Sequence, residues 1–415
     1  MGKINSWQGW LLSLAALACL MLGDPQPLSA ADAGAVFTPG PPLQVARDLF
    51  NLATLPDGKV ALFGGEAYGS GLVANVEILD PATGQSTLFD MGYQRYFPAF
   101  TKLADGNYLL DGGTGSATPG EIFHPGANNL TLTTHNDTWG RRFANAATLT
   151  SGKVLLAGGD ATMSSAYGEI FDPSTDEFNF IPNHLNSFRA LPLVLPCNDG
   201  NAVVMGGFSP ENSEYFYEQV EEYYPDANMF LILQEHLFPD DPGWSIMGYS
   251  LGLGVYARKS AETQRLKDGR YLLLAKKMGF NTYTLFTFDP ATKAIAKFPI
   301  TPDLSASFIL SYCPVVDAAR GKAYLLTTDS PSGVFFNVRL YTVDLATGRR
   351  NDPTGSFPLS ETGFSLFGVT LLADGRLFLA GGAEIVGLDY QSVKKTWFIN
   401  PNRSPIGSMG LLLLD

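Results

Sequence analysis

The chain has 415 residues, a formal net charge of −13, and 44 Gly, 27 Pro and 28 Phe. Abundant glycine and proline beside many aromatic residues predict turns and strands instead of long helices, so we expect an all-β protein. The negative charge argues against a nucleic-acid binder or an anionic-membrane binder, because both partners require a basic surface.

The first thirty residues have the pattern of an export signal. Lys3 precedes an apolar stretch, Leu11–Gly23, and small residues follow that suit cleavage after Ala30 or Ala31. A membrane span needs about 20 apolar residues, more than this stretch offers, and no other segment of the sequence qualifies. We therefore expect residues 1–31 to be a signal peptide and the mature protein to be periplasmic or extracellular, with no membrane span.

The three cysteines raise two further questions. Lipid attachment through Cys19 is an alternative to simple export, but Ala16 stands where a lipoprotein motif prefers Leu, and the apolar run continues past the cysteine. Cleavage would leave Cys197 and Cys313, which fall in non-adjacent repeat units at unlike positions. We expect two unpaired thiols and not a disulfide.

One hairpin turn returns along the whole chain after the signal segment. Its glycines are separated by 48, 46, 48, 69, 52 and 54 residues, which divides the chain into seven units. An apolar run such as "KVALF" or "KVLLA" follows each turn and predicts a buried strand. The seven turns are Asp57-Gly58, Asp105-Gly106, Ser151-Gly152, Asp199-Gly200, Asp268-Gly269, Arg320-Gly321 and Asp374-Gly375.

Each unit continues in the same order. Five of the buried strands end in a glycine pair, and a third strand follows that closes on a turn such as the "DP" of "VEILDPATGQ". Four antiparallel strands in a unit of this length are typical of a propeller blade. The sequence thus predicts one seven-bladed β-propeller over residues 32–415; a β-sandwich would not need two turns repeated seven times in one order. The glycine pairs are Gly64-Gly65, Gly112-Gly113, Gly158-Gly159, Gly206-Gly207 and Gly381-Gly382.

A glycine pair after an apolar strand, followed by a third strand ending in Asp-Pro, resembles the kelch repeat of bacterial secreted proteins and of the central domain of galactose oxidase. The resemblance covers nearly everything after residue 36 and implies a propeller, but it says little about function. The sequence departs from the pattern in two ways. Phe89 and Phe178 replace the usual outer-strand Trp, and units five and six carry Lys276-Lys277 and Thr327-Thr328 near the position of the glycine pair.

Turn positions define two faces of the predicted propeller. The Asp-Gly and Asp-Pro turns share one face, while the glycine pairs and the connectors between blades share the other, which we call the connector face. We expect a strand near Val36 and Phe37 to complete the seventh blade, with the final "GLLLLD" beside it. Because long connectors often carry binding, the insertion around residues 230–256 is of interest. Its aromatic candidates for ligand contact are Trp244, Tyr249 and Tyr256, and the alternative is that they pack the insertion onto its own blade.

An arginine stands eleven residues before the turn glycine in five of the seven units. Three residues before the turn that ends the third strand, units one to four carry a glutamate. This co-occurrence favours one of two interpretations. Buried Arg–Glu pairs that tie the inner strand to the third strand are favoured, and a ring of free cations that binds ligands is disfavoured. The arginines are Arg47, Arg95, Arg141, Arg189 and Arg258, and the glutamates are Glu77, Glu121, Glu169 and Glu221.

Two arginines stand out as candidate ligand contacts. Arg258 has no matching glutamate, because unit five carries Phe286 at that position. Arg142 follows a column arginine directly and is expected to be unpaired. A free guanidinium of this kind would suit a carboxylate or a phosphate.

Metal chemistry has weak support in the sequence. The galactose oxidase resemblance implies a copper site with two His, two Tyr and a Cys-linked Tyr, yet Cys197 and Cys313 do not lie where they would meet such a tyrosine. His135, His184 and His236 fall in consecutive connectors and are the metal candidates, although none has the short spacing of a zinc site. We expect no cofactor.

Two hypotheses about function follow. The first is an exported, non-catalytic module whose connector face binds a protein or a glycan. The alternative is a propeller enzyme acting on a carbohydrate or an acidic sugar, galactose-oxidase-like or mutarotase-like, with its site at the mouth of the channel. The sequence contains no phosphate loop, nucleophile elbow or nucleotide fingerprint.

Overall fold

The structure is a computed structural model, and its described parts contain strands and turns but no α-helix. No helix among these residues is long and apolar enough to cross a membrane. The signal-peptide prediction, Cys313 and the final "GLLLLD" lie outside the described residues. These are 37–114, 116–160, 166–211, 217–246, 264–280, 282–305, 314–329, 337–351, 356–357, 364–365, 368–386 and 389–401.

The first strand and the first four blades follow the chain in order. In blades one to four the strands are hydrogen-bonded in sequence order from the innermost to the outermost, apart from a small hairpin in blade one. The strands are β1 (Phe37–Pro39); β2 (Asn51–Thr54), β3 (Val60–Phe63), the hairpin β4 (Glu66–Ala67) and β5 (Gly71–Leu72), β6 (Asn75–Leu79) and β7 (Ser86–Asp90) of blade one; β8 (Ala99–Lys102), β9 (Tyr108–Asp111), β10 (Pro119–His124) and β11 (Asn129–Asn136) of blade two; β12 (Asn145–Thr148), β13 (Val154–Ala157), β14 (Glu169–Asp172) and β15 (Glu177–Phe180) of blade three; and β16 (Leu193–Pro196), β17 (Ala202–Met205), β18 (Val220–Tyr224) and β19 (Met229–Gln234) of blade four.

Blades five to seven keep the four-stranded core and add short strands at their edges. Blade seven also carries a separate small sheet, β30-β33-β34. The strands are β20 (Trp244–Ile246), β21 (Tyr271–Lys277), β22 (Thr282–Phe288), β23 (Ile295–Phe298) and β24 (Leu304–Ser305) of blade five; β25 (Val315–Asp317), β26 (Lys322–Asp329), β27 (Asn337–Asp344), β28 (Arg350–Asn351) and β29 (Ser356–Phe357) of blade six; and β30 (Phe364–Ser365), β31 (Gly368–Leu371), β32 (Leu377–Ala380), β33 (Ala383–Val386), β34 (Asp389–Ser392) and β35 (Thr396–Ile399) of blade seven.

These sheets confirm the predicted seven-bladed, four-stranded propeller, and six of its seven hairpin turns share one hydrogen-bond pattern. In the first turn the Leu55 amide donates to Lys59 O and the Gly58 amide donates to Leu55 O, and five of the other six turns repeat this pattern. In the blade-six turn the Arg320 amide donates to Asp317 O instead. All seven turn glycines have positive φ, from 62° to 97°, a region that residues with a Cβ rarely adopt. This requirement explains why glycine recurs at the predicted spacing.

The N-terminal strand closes the ring, as the sequence predicted. β1 pairs antiparallel with β35, with Phe37 opposite Ile399, and so forms the outermost strand of blade seven. A second contact joins blades one and seven, because Ser392 Oγ donates a 2.7 Å hydrogen bond to Asp48 Oδ2. Burial raises the pKa of Asp48 to about 8.

The core consists of seven apolar clusters, one between each pair of neighbouring blades. Successive residues of a second strand point to opposite neighbours: Leu155 packs towards blade four, and Leu156 packs towards blade two. Both faces of these strands are therefore buried, which explains their continuous apolar runs. Each fully buried Leu or Phe side chain contributes about 1.5–3 kcal/mol.

Candidate binding surface on the connector face

The four arginines of the predicted column in blades one to four are buried, and each lies beside the glutamate of its own blade. Arg47, Arg141 and Arg189 contact their glutamates at 3.4, 3.1 and 2.6 Å, and Arg95 Nε donates to Glu121 Oε2. All eight side chains are 0 % exposed. The contacts fall within blades and not between them.

Each pair also fixes the connector that leads into its blade. The glutamate accepts the amide three residues before the arginine, as where Gln44 N donates to Glu77 Oε1 at 2.6 Å. The arginine Nη1 donates to the carbonyl of the first glycine of the pair, as from Arg189 to Gly206 O at 3.0 Å. The equivalent amides in blades two to four are those of Gly92, Thr138 and Asn186. This geometry supports a role in holding the connectors, because a ligand in solution cannot reach these guanidinium groups.

The glycine pairs are explained by the same contact between blades. A Cβ at Gly64 would meet Arg95 O at 2.9 Å, and one at Gly158 would meet Arg189 O at 2.7 Å. In blades one to three the second glycine donates its amide to the carbonyl of the next blade's arginine, and Gly382 of blade seven donates in the same way to Arg47 O. Glycine is needed there because two backbones approach too closely for a side chain.

Blade five does not follow the register that was counted from its turn. Ile246 of β20 pairs with Ala275, which stands six residues after Gly269, where other blades have the first glycine of the pair. Ile246 O also accepts the Gly207 amide, the bond that an arginine carbonyl accepts elsewhere. The count of eleven residues to Arg258 therefore falls inside an insertion and does not identify the arginine position. Arg258 itself lies outside the described residues.

The other predicted ligand contacts are distributed as follows. Arg142 is not unpaired as expected, because it forms a 2.6 Å ion pair with Asp160, directly after the glycine pair of its blade. Trp244 is 6 % exposed and packs against Phe238, and its Nε1 donates to Asp241 Oδ2 at 2.8 Å. This residue therefore packs the insertion onto its own blade, the alternative to ligand contact. Tyr249 and Tyr256 lie outside the described residues.

The three histidine candidates are engaged separately. His135 Nδ1 bonds to Asp176 O at 3.0 Å, His184 Nδ1 to Leu185 O at 2.7 Å, and His236 Nδ1 to Glu218 Oε2 at 2.9 Å. Across the described parts of the chain, no group of three or more His, Cys, Asp or Glu side chains is arranged to hold a metal ion. The described residues thus do not fit a copper site.

The remaining described cysteine has no partner in a disulfide. Cys197 is buried between blades four and five, and its thiol is free. Burial raises the pKa of this thiol to about 12, so it carries no nucleophilic thiolate at neutral pH.

An apolar ring lies at the inner ends of the first four connectors. It consists of the residues two positions after the column arginines, Leu49, Phe97, Phe143 and Leu191, all of them buried. Each has positive φ, between 49° and 59°, which is uncommon for a bulky side chain. Amides of Phe143 and Leu191 donate to Phe97 O and Phe143 O, and so link blades two to four. Over these blades the inner end of the connector face offers packed apolar groups.

An aromatic surface that sequence reasoning missed lies on blade three. Tyr167 is its centre: its ring stacks on Trp139 at 6.4 Å, meets Phe180 at 5.1 Å and contacts His184 edge-on at 5.8 Å. Phe188 extends the group from His184 at 6.2 Å. We call these five residues the aromatic platform. Trp139, His184 and Phe188 lie on two consecutive connectors, whereas Tyr167 lies between β13 and β14 and Phe180 ends β15. These positions do not recur from blade to blade, so no repeat in the sequence marks the site.

The platform is open to solvent. Phe180 and Phe188 are 40 % and 39 % exposed, His184 is exposed, and Trp139 and Tyr167 are half-buried. Because His184 Nδ1 faces the Leu185 carbonyl, Nδ1 carries a proton, and in the tautomer with a single ring proton Nε2 is an acceptor. The platform therefore combines aromatic faces with a polar group at its centre.

Comparisons with known proteins relate the chain to others by fold. No protein-family model and no curated protein sequence matches it. A solved structure described as a novel fungal alcohol oxidase of the AA5 family in complex with copper aligns with a TM-score of 0.60 and 14 % identity, over 88 % of this chain and 76 % of that one. A streptogramin B lyase aligns with a TM-score of 0.52 and 11 % identity, over 88 % of this chain and 98 % of that one. These likenesses show that the chain has the β-propeller fold. The two neighbours themselves are described as enzymes.

Proposed function

We propose that this protein is a kelch-type propeller, exported from the cell, that acts as a non-catalytic carbohydrate-binding module. The observation that carries the proposal is the aromatic platform on blade three. An exposed group of rings needs a reason, because aromatic side chains usually bury their area inside the protein.

A sugar ring complements such a surface. Its C–H groups lie against the electron-rich face of an aromatic ring, while its hydroxyl groups donate to acceptors at the edge. On the platform, Phe180 and Phe188 offer exposed rings, and His184 Nε2 offers an acceptor between them.

A protein ligand fits the platform less well. Stable protein interfaces bury about 800 Å² on each partner and have a large apolar centre. The exposed aromatic side chains of the platform form a small group instead. The net charge of −13 further disfavours single-stranded nucleic acid, whose backbone requires basic side chains beside the stacking rings.

The test is a carbohydrate-array screen of the purified protein, followed by titration of each retained oligosaccharide. We expect Phe180→Ala and His184→Ala to weaken binding about tenfold, the effect of about 1.4 kcal/mol. Phe280→Ala is the matched control, because Phe280 is 62 % exposed on blade five and outside the platform.

Several outcomes would contradict the proposal. They are the retention of no carbohydrate, binding that survives both platform substitutions, or an equal loss in the control variant. Capture of a protein by the platform would favour the alternative ligand class, and stoichiometric copper in the purified protein would favour an enzyme.

A further inference from the structure

A cavity of about 430 Å³ lies at the outer seam of blades five and six, far along the chain from the platform. It is lined by Thr301, Pro302, Thr347, Arg349, Arg350 and Asn351. Cavities of this volume accommodate small-molecule ligands. Five of these six side chains are polar, and two of the five are cationic.

The backbone of both blades fixes the seam. Thr301, after the last core strand of blade five, forms a parallel bridge with Arg349 at the start of blade six's outer strand. The Thr301 amide donates to Gly348 O at 3.0 Å, and the Arg350 amide donates to Thr301 O at 2.8 Å. The two arginines are therefore held at a fixed place between the blades.

The Arg350 guanidinium is held in place by groups that carry no negative charge, as far as the described residues show. Its Cζ lies 4.9 Å from the centroid of the Tyr341 ring, and its Nη1 donates to Asp303 O at 3.0 Å. Its Nε is buried and has no hydrogen-bond partner. A cation held over an aromatic ring is pre-organised for an incoming anion, because little side-chain freedom remains to be lost.

Neither Arg349 nor Arg350 forms an ion pair with any described residue. The carboxylate of the same turn is already engaged, since Asp344 pairs with Lys322 at 2.6 Å and accepts from Thr347. Elsewhere in the described chain, turn cations such as Lys59 and Arg376 have their own carboxylates. Two adjacent arginines that have no counter-ion among the described residues are unusual in a chain with 27 basic and 40 acidic residues.

We propose that this cavity binds the oxyanion of a small acidic molecule of monosaccharide size, a carboxylate or a sulfate. The guanidinium groups of Arg349 and Arg350 would bind its oxygens, because a planar fork of N–H donors matches both groups. The Thr and Asn side chains of the lining would bind neighbouring hydroxyl groups. This site is separate from the platform and does not depend on carbohydrate binding there.

Calorimetric titration at low ionic strength tests the proposal with three probes: glucuronate, glucose 6-sulfate and neutral glucose. We expect one or both anions to bind, glucose not to bind, and added salt to weaken the binding. Binding of one anion alone identifies the group that the cavity accepts. Arg349→Gln and Arg350→Gln should each weaken binding at least about tenfold, or 1.4 kcal/mol.

Arg270→Gln is the matched control, because Arg270 is an exposed arginine of blade five already paired with Asp268. Arg349 is exposed, so its replacement leaves the fold intact even if the Arg350 variant does not fold. Failure of both anions to bind, equal binding of glucose, or unchanged binding by the Arg349 variant would overturn the proposal. A platform variant such as Phe180→Ala should bind the anion like the unsubstituted protein, which separates failure of this site from failure of the platform.

Discussion

Blades one to four and blades five to seven place different side chains at one position of the same sheet register. In every blade this third-strand residue lies opposite the residue four positions after the turn glycine. In the first group it is a glutamate, and in the second it is aromatic. The pairs are Glu77 with Leu62, Glu121 with Leu110, Glu169 with Leu156, Glu221 with Val204, Phe286 with Leu273, Tyr341 with Leu325, and Trp397 with Leu379.

The two groups hold this position by different interactions. The glutamates bind a buried arginine and a connector amide. Phe286 instead packs against Phe238 with ring centroids 5.7 Å apart, and Tyr341 supports the Arg350 guanidinium. Aromatic packing avoids the desolvation of two charges, whereas the ion pair fixes the connector with directional bonds. The sheet register thus sets where this third-strand side chain lies, and either an ion pair or aromatic packing can stabilise it there.

Breaking one buried pair should have the largest effect. Glu221→Leu leaves the Arg189 guanidinium buried without its carboxylate, and we expect a loss of about 3–5 kcal/mol in the free energy of unfolding. Equilibrium denaturation with urea measures this loss. Asp226→Asn in the same blade also removes one negative charge but from an exposed turn, and should change the free energy little. A loss of under about 1 kcal/mol in the Glu221 variant would show that the pair is not a stabilising unit.

Converting blade four to the apolar type should recover most of that loss. The double variant Arg189→Met, Glu221→Leu removes both charges, so no buried charge is left unpaired. We expect its free energy of unfolding to lie within about 2 kcal/mol of the unsubstituted protein, well above either single variant. A double-mutant cycle measures the coupling. Additive losses would mean that the two side chains act independently.

Asp111 is a buried acidic residue at a position of the second strand that is apolar in the other blades. It stands five residues after the turn glycine, where the other blades have apolar residues, and its carboxyl oxygens are buried without a hydrogen-bond partner. Burial, and then the charge of Asp137, raise the pKa of Asp111 well above its usual range. The equivalent residues are Phe63, Ala157, Met205, Leu274, Leu326 and Ala380.

The raised pKa predicts a pH dependence. The folded state retains a proton that the unfolded state releases near pH 4, so the stability contributed by the protonated group is complete below that pH and is lost as pH rises towards the folded pKa. Asp111→Asn removes this dependence. Its stability relative to the unsubstituted protein should therefore increase between pH 5 and pH 8, by at most about 1.4 kcal/mol per pH unit. A difference that does not change with pH, in denaturation at several pH values, would contradict the assignment.

The propeller could be predicted from the sequence because each hairpin turn is encoded by a few consecutive residues. The Asp-Gly hairpins fix the register of the inner strands, and counting from them was enough to align the Arg and Glu columns of blades one to four. The same counting gave the wrong equivalence in blade five, because the insertion interrupts its innermost strand between Ile246 and the turn. Counting residues from a turn glycine identifies the arginine position only where no insertion separates the two.

The platform and the cavity depend on contacts that the repeat does not encode. Trp139, on the connector into blade three, meets Tyr167, which lies between the second and third strands of that blade. Phe188, on the connector into blade four, joins them through His184. Arg349 and Arg350 stand at the start of the outer strand of blade six, and the fold alone places Thr301 of blade five beside them. Such sites are specific to single blades, so no periodic signal in the sequence could identify them.

The smallest effect is expected for an exposed ion pair of the same kind. Arg270 and Asp268 lie 2.7 Å apart with side chains 43 % and 52 % exposed, whereas Arg189 and Glu221 lie 2.6 Å apart and are fully buried. Because water solvates both partners in either state, Arg270→Gln should lower the free energy of unfolding by less than about 1 kcal/mol, and added salt should reduce even this loss. The two ion-pair distances are nearly equal, so a difference in the loss of unfolding free energy between Arg270→Gln and Glu221→Leu reflects the difference in burial. A loss from Arg270→Gln as large as that from Glu221→Leu would show that burial does not set the strength of these pairs.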